Sequence, residues 1–261
     1  MTFVDAKQRF SNRVTDYIRY RPGYPSALWD LLAKECGLLR SHVVADIGSG
    51  TGLLGKLFLD HGNPVYGVEP NAEMRAGGEE FLRGYPNFTS INGSAEATTL
   101  AASSVDFVAA GQAFHWFDPV AARREFLRIL KTGGFVVIAW NDRRISESRF
   151  GREYEDLLVR YGTDYTRVKE AYPEAPVMQK FFGDSTFQSR ELPNFQEFDF
   201  AGLSGRLRSS SYAPQEGHVN YPPMMEALEK LFASNQVNGR VRMTYTTQIY
   251  FGQLKALRHS R

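Results

Sequence analysis

The sequence predicts an α/β protein built around a doubly wound, mostly parallel sheet. Three observations carry this expectation. Short apolar runs alternate with amphipathic stretches from about residue 40 to residue 142, the pattern of repeated βαβ units. The glycine-rich segment Asp46-Ile47-Gly48-Ser49-Gly50-Thr51-Gly52 lies between an apolar run and an amphipathic one, where glycines let the backbone turn sharply and approach a ligand. Glu69 closes the next apolar run, so both groups fall on one edge of a parallel sheet.

Each element follows from its own residues. VVADI (43 to 47) reads as a buried strand, and the stretch from Thr51 as N-cap through Leu53, Leu54, Leu57 and Phe58 to Gly62 reads as a helix. PVYGVE (64 to 69) is the second strand, and Asn71 opens a helix carrying Met74, Phe81 and Leu82 despite Gly77 and Gly78. NFTSIN (87 to 92) and SVDFVAA (104 to 110) are the third and fourth strands. Asp118 caps a helix that starts at Pro119; Ala122, Phe126, Ile129 and Leu130 form one face, and Gly133 follows its end. FVVIAW (135 to 140) is a strand buried on both faces. The charged, Tyr-rich stretch 143 to 190, with Pro173 and Pro176, is expected to be a helical cap inserted over the sheet edge, with no core of its own. FQEFDF (195 to 200), a helix from Pro222 to Phe232 after Asn220-Tyr221, and the alternation Val241, Met243, Tyr245, Thr247, Ile249 and Phe251 complete a sheet of seven strands.

The 261 residues fit a single domain. Its expected parts are lid helices over 1 to 36, a core over 40 to 142, the insertion over 143 to 190 and the rest of the sheet over 191 to 261. With 31 basic against 29 acidic residues, the net charge of +2 does not call for a nucleic-acid partner. The single cysteine, Cys36, excludes an internal disulfide and a Cys-rich zinc site, and points to the reducing cytoplasm. No histidine and carboxylate spacing suggests a metal. The longest apolar run, Phe135 to Trp140, is far short of the roughly 20 residues of a membrane helix, and the opening MTFVDAKQRF has no signal-peptide h-region. A soluble, unprocessed protein off the membrane is expected.

Two kinds of ligand suit the glycine loop. Gly50-x-Gly52-x-x-Gly55 has dinucleotide spacing, with Glu69 placed to hold a ribose diol. Asp46 argues the other way, since a carboxylate close to the loop repels a pyrophosphate and suits a cationic amino-acid group.

With these residues in place the chain resembles the class I S-adenosylmethionine-dependent methyltransferases, whose glycine motif is similar to VADIGSGTG and whose acidic strand end is similar to VEPNAEM. GSAEATTL (93 to 100), SVDFVAAGQAFHWFD (104 to 118) and RILKTGGFVVIAWND (128 to 142) resemble later motifs of the small-molecule branch, including the trans-aconitate methyltransferase-like proteins. RFSNRVTDYIRYRPGYP (9 to 25) resembles the same group's N-terminal segment. The resemblance covers residues 9 to 142 and implies a Rossmann-like methyltransferase fold, with an N-terminal helical lid that uses Phe10, Val14, Tyr17 and Ile18 as its apolar stripe.

The resemblance also implies roles, residue by residue. The amino-acid part of S-adenosyl-L-methionine would lie against Gly48, Gly50 and Gly52 with Asp46 on its ammonium side, while Arg21, beside Tyr20, would meet its carboxylate. Glu69 would hold the ribose, Pro70 and Met74 would line the adenine, Ala95 and Glu96 would meet its polar edge, and Gln112 would face the methionyl portion. His115 is a candidate general base, or a pocket residue packed between aromatics. Trp116 is a pocket wall or a substrate platform, and Arg143 and Arg144 are candidates for an anionic substrate. The implied activity is methyl transfer to a small molecule, a carboxylate or another oxygen nucleophile among the acceptors. An NAD-dependent oxidoreductase and a non-catalytic cofactor-binding protein stand as alternatives. Acceptor atom and oligomeric state stay open.

Overall fold

Seven strands join into one sheet in the computed structural model, which describes residues 14–166, 175–183 and 187–255. They are β1 (Val44–Ile47), β2 (Val65–Val68), β3 (Phe88–Ile91), β4 (Val105–Gly111), β5 (Leu130–Arg143), β6 (Phe187–Phe198) and β7 (Val241–Gly252). Their order is β3-β2-β1-β4-β5-β7-β6. β1 to β5 pair in parallel, β7 runs antiparallel to β5, and β6 runs antiparallel to β7. The sheet is therefore mixed and not uniformly parallel. The alternation noted over residues 241 to 251 is the mark of an antiparallel strand with one face covered, whereas the continuous burial from Val136 to Asn141 is that of a parallel strand covered on both.

Alternation along the central strands separates two apolar layers. Ala45, Val108, Val136 and Ile138 face one cluster, which α5 (Pro119–Ile129) and α7 (Ala175–Phe182) cover with Phe126, Phe181 and Phe182. Val44, Phe107, Val137 and Ala139 face the other, covered by α2 (Ala27–Cys36) and α3 (Leu53–Asp60) through Leu28, Leu32 and Phe58. Each fully buried side chain of this size contributes roughly 1.5–3 kcal/mol.

A third cluster joins Phe150, Tyr154 and Leu158 of α6 (Arg149–Tyr161) to Leu203 and Leu207 of α8 (Phe200–Arg208), Leu228 of α9 (Tyr221–Asn235), and Val241, Met243 and Tyr245 of β7. The segment expected to have no core of its own thus shares one with the C-terminal helices. The extra length of β5, β6 and β7 gives these helices a surface to bury.

Local chemistry sets the helix ends. Asn71 caps α4 (Ala72–Phe81) by accepting from the Met74 amide (2.9 Å). Asp118 caps α5 by accepting from Val120 (2.9 Å) and Ala121 (3.1 Å). Such caps are worth about 1 kcal/mol. Thr51, read as the cap of α3, is fully buried, and Gly52 holds that position at φ +84°. Gly77 in α4 is where Val14 of α1 (Val14–Tyr20) comes too close to admit a side chain, so a residue that weakens the helix lets α1 dock on it. β6 begins at Phe187 rather than Phe195 and ends at Phe198, because Asp199 caps α8 by accepting from the Gly202 amide (2.7 Å). Phe10 and Pro173 lie outside the described residues. Among those described, no helix is long and apolar enough to cross a membrane.

Candidate functional site

Because β1 lies between β2 and β4, the chain leaves β1 toward one side of the sheet and β4 toward the other. The connections after the two strands diverge and open a crevice at their C-terminal ends. There the structure has a cavity of about 620 Å³, a size suited to a small ligand.

The glycine loop forms part of its wall. The Gly48 and Ser49 amides donate to the Val68 carbonyl (2.9 and 3.1 Å), tying the loop to β2. At Gly48, φ is +64° and a Cβ would stand 2.7 Å from that of Ala113, so no side chain fits. Glu69 is buried at the end of β2, and its two carboxylate oxygens accept from the Gly50 amide (2.9 Å) and the Asn71 amide (2.8 Å). Two loops are thereby fixed around one carboxylate, with Pro70 and Met74 beside it on the cavity wall.

Asp46, on β1, is 1% exposed. Its Oδ2 accepts from the Gly55 amide (2.8 Å), while Oδ1 has no partner among the described residues. Burial pushes its pKa up to about 7; the Gly55 bond opposes this and the Glu69 charge adds to it. An orphaned buried carboxylate oxygen beside a loop with no room for side chains is a cradle for a cation carried on a compact ligand.

The end of β4 supplies a second wall. Gln112 sits at φ +56°, its Nε2 donates to the Asn141 carbonyl (3.3 Å), and its Oε1 has no partner among the described residues. A 3₁₀ turn, Phe114–Trp116, then brings His115, Trp116 and Phe117 onto the cavity. His115 lies against Trp116, with ring centroids 4.7 Å apart. Burial pushes the imidazole pKa down to about 4, below the range a histidine base needs near neutrality. Ala95 and Glu96 also line the cavity, and Glu96 Oε1 accepts from the Asp118 amide (2.9 Å).

Of the N-terminal residues, Arg21 reaches the cavity. Its Nη2 donates to the Ser209 carbonyl (2.9 Å), its guanidinium lies 5.0 Å from the centre of the Tyr17 ring, and its Nε has no partner among the described residues. Tyr20 is not on the wall; its ring lies against Gly205 of α8. Gly52 is turned away from the cavity toward Leu82. Arg143 lines the cavity and donates to Glu155 (2.8 Å) and Tyr165 (2.5 Å), whereas Arg144 pairs with Glu147 (3.1 Å) on an exposed turn and does not reach it.

Among the wall residues that had not been singled out from the sequence are Asn141, Asp142, Tyr165, Arg206 and Tyr212. Asn141 Nδ2 donates to the Gly23 carbonyl (3.1 Å) and its Oδ1 accepts from Thr247 (2.6 Å), so β5 and β7 hold the N-terminal arm in place. For Arg206 a signal existed: it lies between Leu203 and Leu207, on the apolar face of its helix.

Residues 45–138 match the methyltransferase domain family. An uncharacterized methyltransferase of Mycobacterium tuberculosis (strain ATCC 25618 / H37Rv) is 35% identical over 173 residues, which is 65% of this chain and 66% of that protein. An uncharacterized methyltransferase of Schizosaccharomyces pombe is 32% identical over 135 residues, 51% of this chain and 53% of that protein. The chain thus spans just under two thirds of the mycobacterial relative. A solved structure from Anaeromyxobacter dehalogenans, described as a candidate type II methyltransferase, has a TM-score of 0.66 at 21% identity, covering 91% of this chain and 100% of that one. A geranyl diphosphate methyltransferase solved with SAM has a TM-score of 0.50 at 12% identity, covering 88% of this chain and 85% of that one. At such identities the likeness is one of fold. The methyltransferase match thus falls on residues 45–138, and the fold is one shared with solved methyltransferase structures.

Proposed function

We propose that the protein moves a methyl group from S-adenosyl-L-methionine to a small-molecule acceptor, in keeping with the small-molecule branch that residues 9 to 142 resemble. The observation that carries the reading is Asp46: a buried carboxylate oxygen without a partner, on the wall of a cavity whose next acidic group is Glu69. Two carboxylates here repel a pyrophosphate and favour a ligand with an ammonium group at one end and a ribose diol at the other. An NAD-dependent enzyme is disfavoured on the same ground.

In this reading Asp46 and the backbone from Gly48 to Gly50 hold the amino-acid end, with Arg21 at its carboxylate. Glu69, already fixed by two amides, holds the ribose. Pro70, Met74 and Ala95 enclose the adenine, Glu96 meets its polar edge, and Gln112 faces the methionyl chain. When bound, the cofactor supplies an electrophilic methyl on a sulfonium, open to direct displacement. The chain contributes position and dryness. Trp116, Phe117 and Tyr24 exclude water, and holding two reactants in line is worth about 7–11 kcal/mol in well-oriented reactions. His115, kept neutral by burial and packed against Trp116, shapes the pocket.

Calorimetry tests the cofactor and turnover tests the chemistry. S-adenosylhomocysteine is expected to bind and NAD is not; the reverse order overturns the reading. Screening small carboxylic acids, phenols and amines with methyl-labelled cofactor is expected to yield a methylated product. A cofactor that binds but labels none of them favours a non-catalytic binding protein.

A further inference from the structure

The part of the cavity wall supplied by α8 and the residues after it contains a charge that the cofactor does not account for. Arg206 is 4% exposed and lines the cavity. Its Nε donates to the Tyr245 hydroxyl (3.3 Å) and its Nη1 to the Ser210 hydroxyl (3.0 Å). These use two of the five N–H donors of a guanidinium, and no carboxylate among the described residues pairs with it. Its neighbours are treated otherwise: Arg143, on the same wall, is neutralised by Glu155 at 2.8 Å, and Arg208 pairs with Asp16 at 3.1 Å.

A buried guanidinium without a counter-charge is strongly unfavourable unless an anion completes it. Tyr212, also on this wall, feels the charges of Arg143, Arg206 and Arg21, which hold its phenol below the usual range although burial acts the other way. The groups bonded to Arg206 are a phenol and a hydroxyl, so its own charge has no carboxylate against it among the described residues.

We propose that Arg206 binds a carboxylate of the methyl acceptor, and that this carboxylate is not the group methylated. The inference rests on the methyltransferase reading above. A planar guanidinium fork matches the two oxygens of a carboxylate, and one uncompensated charge matches a monoanion better than a phosphate dianion. Oxygens held by such a fork have their lone pairs engaged and their charge spread, so they are poor nucleophiles. The methyl therefore goes to another atom of the acceptor. Trp116, Ile145, Tyr165 and Tyr212 line the same cavity and offer apolar surface for the body of such a molecule.

Benzoate and benzamide, nearly identical in shape and differing in charge, are suitable probes. Their binding is measured by ligand-observed NMR on protein saturated with S-adenosylhomocysteine, for the wild type, Arg206→Gln, Arg206→Lys and, as a surface control, Arg190→Gln. Benzoate is expected to bind wild type at least tenfold more tightly than benzamide. Arg206→Gln is expected to abolish that preference, Arg206→Lys to keep part of it, and Arg190→Gln to leave it unchanged. Equal binding of acid and amide, detectable or not, overturns the inference; this comparison needs only the wild type and survives a variant that does not fold. A tenfold loss of S-adenosylhomocysteine affinity in Arg206→Gln also overturns it, because the guanidinium would then serve the cofactor's own carboxylate. Failure of wild type to bind S-adenosylhomocysteine at all strikes the methyltransferase reading instead.

Discussion

Asp46 holds a proton in the folded protein up to about pH 7 because its surroundings exclude water. Between the ordinary carboxyl value and pH 7 the folded state binds more protons than the unfolded one, so the free protein loses stability as pH rises through that window. A cationic ligand has the opposite preference, since it needs the carboxylate ionised. S-adenosylhomocysteine affinity should therefore rise by about tenfold from pH 6 to pH 8, following the ionised fraction of a group that titrates near 7. Asp46→Asn should bind more weakly and show no such slope. Calorimetry across this range checks both, and a flat wild-type profile would remove Asp46 from the ammonium site. His115 makes the contrasting case. Its pKa, lowered to about 4 by burial, leaves a neutral imidazole throughout the neutral range, so turnover should show no limb near pH 6–7 from this residue. His115→Asn should raise the acceptor KM more than it lowers kcat; a hundredfold fall in kcat, with loss of such a limb, would establish a base instead. Residues near the glycine loop were legible in the sequence because their spacing is local, whereas Arg206 and Tyr212 reach the cavity only through tertiary packing of α8.

At the scale of elements, legibility followed the strength of local pattern. Strands β1, β2, β4 and β5 stood out because parallel strands covered on both faces are nearly all apolar. The start of β6 did not, because Gln188, Ser189, Arg190 and Glu191 are exposed on a sheet edge and resemble a loop. α8 was hidden by its short length and small residues, Ala201, Gly202, Ser204 and Gly205. α1 is the element whose function is most directly testable. None of its residues is buried, and it is held by the Asp16–Arg208 ion pair (3.1 Å) and by Tyr20 on Gly205. Beyond it, Arg21 and Tyr24 reach the cavity, and Tyr24 closes over Gly111. A chain starting after Pro25 keeps all seven strands and should remain folded by circular dichroism, yet should lose most of its S-adenosylhomocysteine affinity. Unchanged affinity in that truncation would mean that the arm is no lid and that Arg21 lies outside the site.

The molecule as a whole places its cavity where three main stretches of chain meet, with Tyr165 beside them: the arm from Tyr17 to Tyr24, the core from Asp46 to Ile145, and the C-terminal residues Arg206 to Tyr212. These stretches belong to different apolar clusters. Ile47 and Val108 lie in one central layer, Leu54 and Ala109 in the other, while Tyr20, Leu203 and Leu207 belong to the cluster built with α6 and α9. A ligand that touches all three adds to the contacts that already join these parts, among them Asn141 on the Gly23 carbonyl, Val14 against Gly77, the Asp16–Arg208 pair and the long β7 strand. Binding should therefore stabilise the whole molecule against unfolding, by about 2.7 kcal/mol at a ligand concentration of 100 Kd. For a chain of this size each kcal/mol raises Tm by roughly 2–4 °C, so S-adenosylhomocysteine should raise Tm by about 5–10 °C in one sharpened transition. NAD at the same concentration should leave it within about 1 °C. A melt that splits into two transitions, with only one moved by S-adenosylhomocysteine, would show that the C-terminal cluster unfolds by itself and that the ligand does not bridge it to the sheet.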